Sequence, residues 1–488
     1  MKSRHRRRWY LMVRTAALSL LAMAATSVTR PAELSAWPAG YAGPQLAESG
    51  VSHNSIVPAA WQVSEDADTL PDLLSGPVQP QDTRSGEVFR QEPNAEAAAV
   101  PETRLSEASS PFGDVNAAFS ETDFQVNGQF DFNHFPEDFL SGAVIRNGPL
   151  AVKIGGYVKA DLIYDFDPID SGDLFDPAQI PVDAPPRTDA RFHARQTRLN
   201  LDTRWIPVDS APVRVMVEGD FFGDDSSFRL RHAYGERGGW LIGQTWSTLA
   251  HRAALPNTLD VVGDVASVGR RQAQLRWTLP VTDELHFAAA LEDSNVQVEE
   301  QFQDFGDPRT PSPDFIARLR YKTDGSQFQL AGIVRQLGFQ PTGMSVRTFS
   351  GSGLNATGVL DLTEDDRAYG GILWGTGIGN YRDLPDLAPT SPTDGKSLES
   401  MAWYVGLKHQ WSPGWASNFT FSSGDVENTS FQPLDSLSNT KYLAANLIWQ
   451  PGKYGFVGAE YLWGYRQNRD ALDSAASRVM MSVGFILP

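Results

Sequence analysis

Residues 194–205 read ARQTRLNLDTRW, and Arg198, Asn200, Asp202 and Arg204 alternate there with Leu199, Leu201, Thr203 and Trp205. Arginine keeps its charge at any physiological pH and holds a carboxylate or phosphate through two parallel hydrogen bonds, so repeated guanidinium groups are suited to binding anions. Ten basic residues share this setting: Lys153, Lys159, Arg198, Arg204, Arg214, Arg229, Arg231, Arg276, Arg318 and Arg320. Set along one wall, they would form a ladder of weak, exchangeable anion sites, and rings of Arg or Lys are one way to select anions. Asp161, Asp202, Glu218 and Asp220 share these faces, so ion pairs that brace the wall are the competing reading. Other chemistry finds little support. GTGIGN at 375–380 lacks the third glycine of a nucleotide loop and sits in an alternating strand. His193, His232, His251 and His286 lack metal-ligand spacing, and no nucleophile elbow occurs, so neither an enzyme nor a cofactor is expected. His232 shares parity with Phe228, Leu230 and Tyr234, which points to a membrane interface. With no cysteine, disulfides and thiolate catalysis are excluded.

The elements that must position these residues are strands, because the period is two. From Ala151 the chain falls into segments of about ten residues with alternating hydrophobicity. In the first, Val152, Ile154, Val158, Leu162, Tyr164 and Phe166 oppose Lys153, Tyr157, Lys159, Asp161 and Asp165. Counting with alternate turns held short predicts sixteen strands: 151–166, 192–206, 211–222, 227–235, 240–249, 271–279, 284–293, 314–323, 327–339, 345–357, 367–381, 400–411, 414–426, 439–450, 454–467 and 477–487. The turns after even strands are short, among them PVDS, ERGG, TDGS and SPG, while 167–191, 250–270, 294–313 and 382–399 follow odd strands. An even strand count, short-long rhythm and aromatics near strand ends mark a transmembrane antiparallel β-barrel of the outer membrane. A secreted β-sandwich or β-solenoid would explain the alternation but would have to bury arginine-rich faces. Beyond the N-terminus no run of 18 apolar residues suggests a spanning helix.

Residues 1–24 have the basic start, short apolar stretch and Ala22-Met23-Ala24 site of a secretory signal peptide, so export is expected. Residues 25–145 are Pro-rich and acidic without periodicity, and are expected to be a disordered periplasmic segment. Between 25 and 148 there are 18 acidic residues against 5 arginines. No basic surface suggests nucleic acid. The barrel is expected to occupy 146–488.

IGGYVKADLIYDF, ARQTRLNLDTR, VEGDFFG, RLRHAYGE, GQTWSTL and PNTLDVVG, in this order, resemble the DcaP-like family of trimeric outer-membrane porins. The resemblance covers about 151–488 and is densest in 151–280. It implies a homotrimer of sixteen-stranded barrels in outer-membrane lipid that admits small anionic solutes such as dicarboxylates. By analogy with general porins, the loop 250–270 is expected to fold inward. Two features depart from the family: 25–145 lacks a heptad pattern, and the chain ends Phe485-Ile486-Leu487-Pro488, so Phe485 takes the place of a terminal aromatic. The function expected is a passive channel for small anions. The alternative is an envelope anchor that touches the cell wall through 25–145.

Overall fold

The computed structural model describes residues 143–206, 210–452 and 454–487. The readings of 1–24 and of 25–142 lie outside these residues. Sixteen strands form a closed antiparallel barrel: β1 Leu150–Asp165, β2 Arg198–Trp205, β3 Val213–Asp220, β4 Arg229–Arg237, β5 Trp240–Trp246, β6 Arg271–Pro280, β7 Leu285–Glu292 and β8 Asp314–Thr323 make one half. The other half is β9 Ser326–Pro341, β10 Arg347–Asp361, β11 Asp366–Thr376, β12 Glu399–Ser412, β13 Trp415–Val426, β14 Leu437–Gly452, β15 Gly455–Asn468 and β16 Asp473–Ile486. Pairing of β16 with β1, from Tyr157 opposite Ile486 to Asp165 opposite Arg478, closes the ring. Closure leaves no sheet edge among these strands, which is what a hydrocarbon surround demands of a backbone that has no water to bond.

Alternation sorts the side chains as the period of two requires. Leu199, Leu201 and Trp205 are exposed on the outer face, while Arg198, Asn200 and Asp202 are buried on the inner one. Outward tryptophans gather near the short turns, where Trp240 opposes Trp277 and Trp415 stacks on Trp449 with centroids 5.7 Å apart. Such rings suit the water–lipid boundary, and each cross-strand aromatic pair is worth about 0.5–1.5 kcal/mol beyond its buried area. Phe485 points outward beside the seam and is exposed.

Several boundaries differ from the sequence reading. The predicted strand 192–206 divides into β2 and a separate strand, Asp189–His193, that continues the wall along β1. The strand β10 runs on to Asp361 because Val359, Leu360 and Asp361 pair with Tyr369, Ala368 and Arg367, leaving only 362–365 as a turn. The predicted strand 367–381 stops at Thr376, and Gly379–Arg382 makes a 3-10 turn. Connections 342–346 and 469–472 follow odd strands yet are short, and their flanking strands are long, 14 to 16 residues each.

In β4 the alternation itself breaks. Glu218 pairs with His232 but Gly219 pairs with Leu230, so Arg231 is the extra residue of a β-bulge. Parity therefore reverses, and His232 and Tyr234 are buried inside rather than facing the membrane with Phe228 and Leu230.

Strand β1 carries a second special position. Gly156 has φ +130°, and a Cβ there would stand 2.1 Å from the carbonyl oxygen of Arg198 on the neighbouring strand. Gly156→Ala is expected to destabilise the barrel by about 1–3 kcal/mol, the cost of one residue held in such a backbone region. The urea midpoint of the detergent-folded protein measures this; an unchanged midpoint would contradict it.

Candidate functional site

The loop 247–270, between β5 and β6, does not stay outside the barrel. Gln329 of β9 donates to the carbonyls of Leu249 and Ala250 at 3.1 Å each, and Asn355 of β10 donates to Leu249 at 2.8 Å. His251 Nδ1 lies 2.8 Å from the Thr357 hydroxyl. Farther along, Asn446 of β14 donates to the Asn257 carbonyl at 2.8 Å, and the Asp260 N–H donates to Glu460 of β15 at 2.8 Å. The Val265 N–H donates to Ser422 of β13 at 3.1 Å. These partners satisfy backbone groups that burial would otherwise strand.

Apolar packing reinforces the same crossing. Leu249, Ala250 and Val268 meet Ile316, Ile333, Leu373 and Tyr381. Leu259 meets Ile163, Ile448, Phe456 and Met480, while Ala254 and Ala266 meet Val359, Tyr369, Ala402 and Tyr404. The loop expected to turn inward does so, and it fills the half of the lumen bounded by β8–β16. Those inner faces interleave aliphatic and aromatic residues with uncharged polar ones such as Gln329, Asn355, Ser422 and Asn446, a pattern that alternation alone did not distinguish from a water-lined wall.

Most of the cations line β1–β7, with Arg318 and Arg320 on the adjoining β8, and they fall into two groups. Toward the loop end, Arg229 holds Asp220 through two hydrogen bonds at 2.9 and 2.8 Å, and Arg231 bridges Glu218 and Asp220 at 2.8 Å each. Arg198 lies over the Tyr157 ring at 5.3 Å. Toward the turn end, Asp202 takes Arg214 at 2.9 Å and Arg204 at 3.2 Å, and Arg320 donates twice to Gln329. Lys153 sits opposite Asp202 in register, and Arg276 and Arg318 lie buried on the same face. Arg214, at 1% exposure, also faces Glu236 at 3.5 Å and is part of the wall rather than of the water-filled space. Lys159 is spent on the loop: its ammonium donates to the Leu259 carbonyl and Gln196 at 2.6 Å each and pairs with Asp161 at 3.1 Å. Arg204, Arg214, Arg229 and Arg231 thus meet carboxylates first and solvent second.

Two residues absent from the sequence reading complete the loop-end group. Arg271 and Arg252 approach the ring of Trp246 at 4.7 and 5.3 Å, contacts typical of cation–π attraction. The Trp246 ring also meets His232 at 5.8 Å. Arg271 forms no ion pair among the described residues. Arg271 shares sequence parity with the outward Ala273 and Leu275, and Arg252 belongs to an aperiodic loop, so alternation could select neither. Five guanidinium groups, those of Arg198, Arg229, Arg231, Arg252 and Arg271, therefore gather around Glu218 and Asp220.

A second knot holds the outer loops. Arg335 of β9 is fully buried and contacts Asp314 at 3.2 Å, Asp386 at 2.9 Å and the Asn295 carbonyl at 3.1 Å. It ties 293–313 and 377–398 to the wall, above an apolar cluster of Val298, Phe302, Leu337, Phe339 and Leu387.

A closed sixteen-strand barrel with an infolded loop and a polar arc defines an outer-membrane channel of the porin type. Residues 144–339 match the family model described as DcaP outer membrane protein. Among solved structures, the outer membrane channel DcaP of Acinetobacter baumannii is similar in fold, with TM-score 0.64 and 20% identity, covering 70% of this chain and 98% of that one. OmpT of Vibrio cholerae is a more distant likeness, with TM-score 0.47 and 10% identity over 70% of this chain and 100% of that one. No curated protein matches the chain.

Burial raises the pKa of the loop carboxyl Asp260. Asp260 accepts the N–H groups of Gly263 and Phe175 at 3.1 and 3.2 Å, and burial pushes its pKa up to about 6 against the pull of Arg478 and Lys159. The folded barrel therefore binds this proton more tightly than the unfolded chain does. Its contribution to stability is present below the ordinary aspartate pKa and is lost as pH rises to about 6, by about 2–3 kcal/mol. Asp260→Asn is expected to flatten the fall in urea midpoint across that window. An identical pH dependence in the variant would refute this assignment.

Proposed function

We propose that the protein is a passive diffusion channel for small anions, dicarboxylates among them. The observation that carries this reading is the division of the lumen: the loop 247–270 packs along one side, while Arg198, Arg229, Arg231, Arg252 and Arg271 cluster on the other around Glu218 and Asp220. A solute passing the loop must cross this cluster. Paired guanidinium groups still attract an anion, because each keeps donors beyond those its carboxylate uses. The turn-end group of Lys153, Arg204, Arg276, Arg318 and Arg320 would extend the path toward the periplasm. On this reading the short turns face the periplasm, the long loops face outward, and three barrels associate as the family does.

In a planar bilayer under a tenfold KCl gradient, the reversal potential is expected to take the sign of anion preference. Succinate or phthalate is expected to reduce the chloride current. Arg229, whose side chain is 37% exposed, is the most accessible member of its pairs. At about 5 Å in water one unit charge is worth about 0.8 kcal/mol, about fourfold for each ion and opposite in sign for the two, so Arg229→Gln should lower the anion-to-cation permeability ratio by up to about fifteenfold. Cation preference in the unmodified protein would overturn the proposal.

A further inference from the structure

The knot around Arg335 contains more negative charge than it neutralises. Register sets Glu292, the last residue of β7, directly opposite Asp314, the first of β8, and the loop 377–398 brings Asp386 to the far side of the same guanidinium. Glu292 is 1% exposed and the two aspartates are fully buried. Arg335 meets Asp314 and Asp386 but is the one cation among the three carboxylates. The remaining partners are uncharged. Tyr381 donates to Asp314 at 2.8 Å, and Gln272 of β6 donates to Glu292 and to the Tyr381 oxygen at 2.8 Å each. Arg270 pairs instead with the exposed Asp383 at 3.3 Å, and Glu299 accepts from Ser436 at 3.0 Å.

The same carboxylates fasten three loops. Asp386 accepts the N–H groups of Gln297 and Asn380 at 2.9 and 3.0 Å, and Arg335 donates to the carbonyls of Asn295 and Gly377 at 3.1 and 3.2 Å. Glu292 accepts the N–H of Thr248, where the infolded loop begins, at 2.6 Å. The loops 293–313, 377–398 and 247–270 are therefore joined at one point of the wall.

Like charges opposite one another on neighbouring strands repel, and a buried carboxylate without a counterion is costly. Three carboxylates against one guanidinium leave two charges to be neutralised. No group among the described residues is placed to hold a metal ion, so protons are the remaining means. Asp386 agrees with this count: burial pushes its pKa up to about 6 against the pull of Arg335, with Asp314 adding to the rise.

We propose that protons held among Glu292, Asp314 and Asp386 form a latch that fastens the loops 293–313 and 377–398 to the wall and loosens as the protons leave. The sign follows from Asp386. Freed into water it has the ordinary aspartate pKa of about 4, so the fastened state binds the proton more tightly. Fastening is strongest below that value and weakens until pH passes about 6, by up to about a hundredfold in the ratio of fastened to loosened forms. Conductance then rises from acid to neutral pH; that consequence rests on the channel reading, whereas the latch does not.

Amide hydrogen exchange of the full detergent-folded chain, corrected for the intrinsic pH dependence of exchange, tests the latch. Protection of 377–398 is expected to fall by ten- to a hundredfold between about pH 4 and pH 6.5. Asp386→Asn should make the profile flat, and Glu292→Gln, which removes one of the three charges, should flatten it should the first variant fail to fold. Asp260→Asn, remote from this knot, should leave the profile of 377–398 as it is. Protection of 377–398 that is constant with pH in the unmodified chain, or that falls equally in Asp386→Asn and Glu292→Gln, overturns the latch. A single-channel conductance that stays constant while protection changes overturns only the consequence for current.

Discussion

The backbone in the wall has no water to bond to. Every other feature follows from how that demand is met. Sixteen strands satisfy it by pairing in a ring, and the outer face then needs only apolar side chains and boundary tryptophans. The ring, however, is too wide for its own inward side chains to fill. What occupies that leftover space determines what the protein can do.

The space is filled unevenly. Along β8–β16 the loop 247–270 contributes Leu249, Leu259, Ala266 and Val268 to clusters that resemble the core of a soluble domain. Along β1–β7 the inner face is polar and cationic, and its charges are held in place by Asp202, Glu218 and Asp220. On the proposed anion-channel reading, bracing and attraction are therefore not alternatives in this barrel. A buried carboxylate fixes where a guanidinium points and sets aside part of its hydrogen-bonding capacity, while the remaining donors and the excess charge stay on offer. Arg214 and Lys159 mark the extreme case, in which structure takes nearly the whole side chain.

Much of this was legible in the sequence because alternation is a local property. The strand that holds Arg198 and Asp202 shows its two faces in eight residues, and the short-long rhythm of connections needs only the positions of the strands. The errors have one physical origin: they depend on partners distant in sequence. Nothing near Arg231 says that β3 will be one residue short opposite it, so His232 and Tyr234 were assigned to the wrong face. Nothing near Arg252 says that its loop will lie against strands a hundred or more residues away. The end of β10 was misplaced for the same reason, since Val359 to Asp361 become a strand only through β11.

The bulge at Arg231 has a consequence for how densely a barrel can be functionalised. A regular strand offers its interior one side chain for every two residues, or about 7 Å of length, whatever the sequence. An inserted residue breaks that spacing and lets Arg231 and His232 project inward side by side from a single strand. The number of strands thus sets the girth of the barrel, while one misfit in register adds a side chain to its interior without widening it.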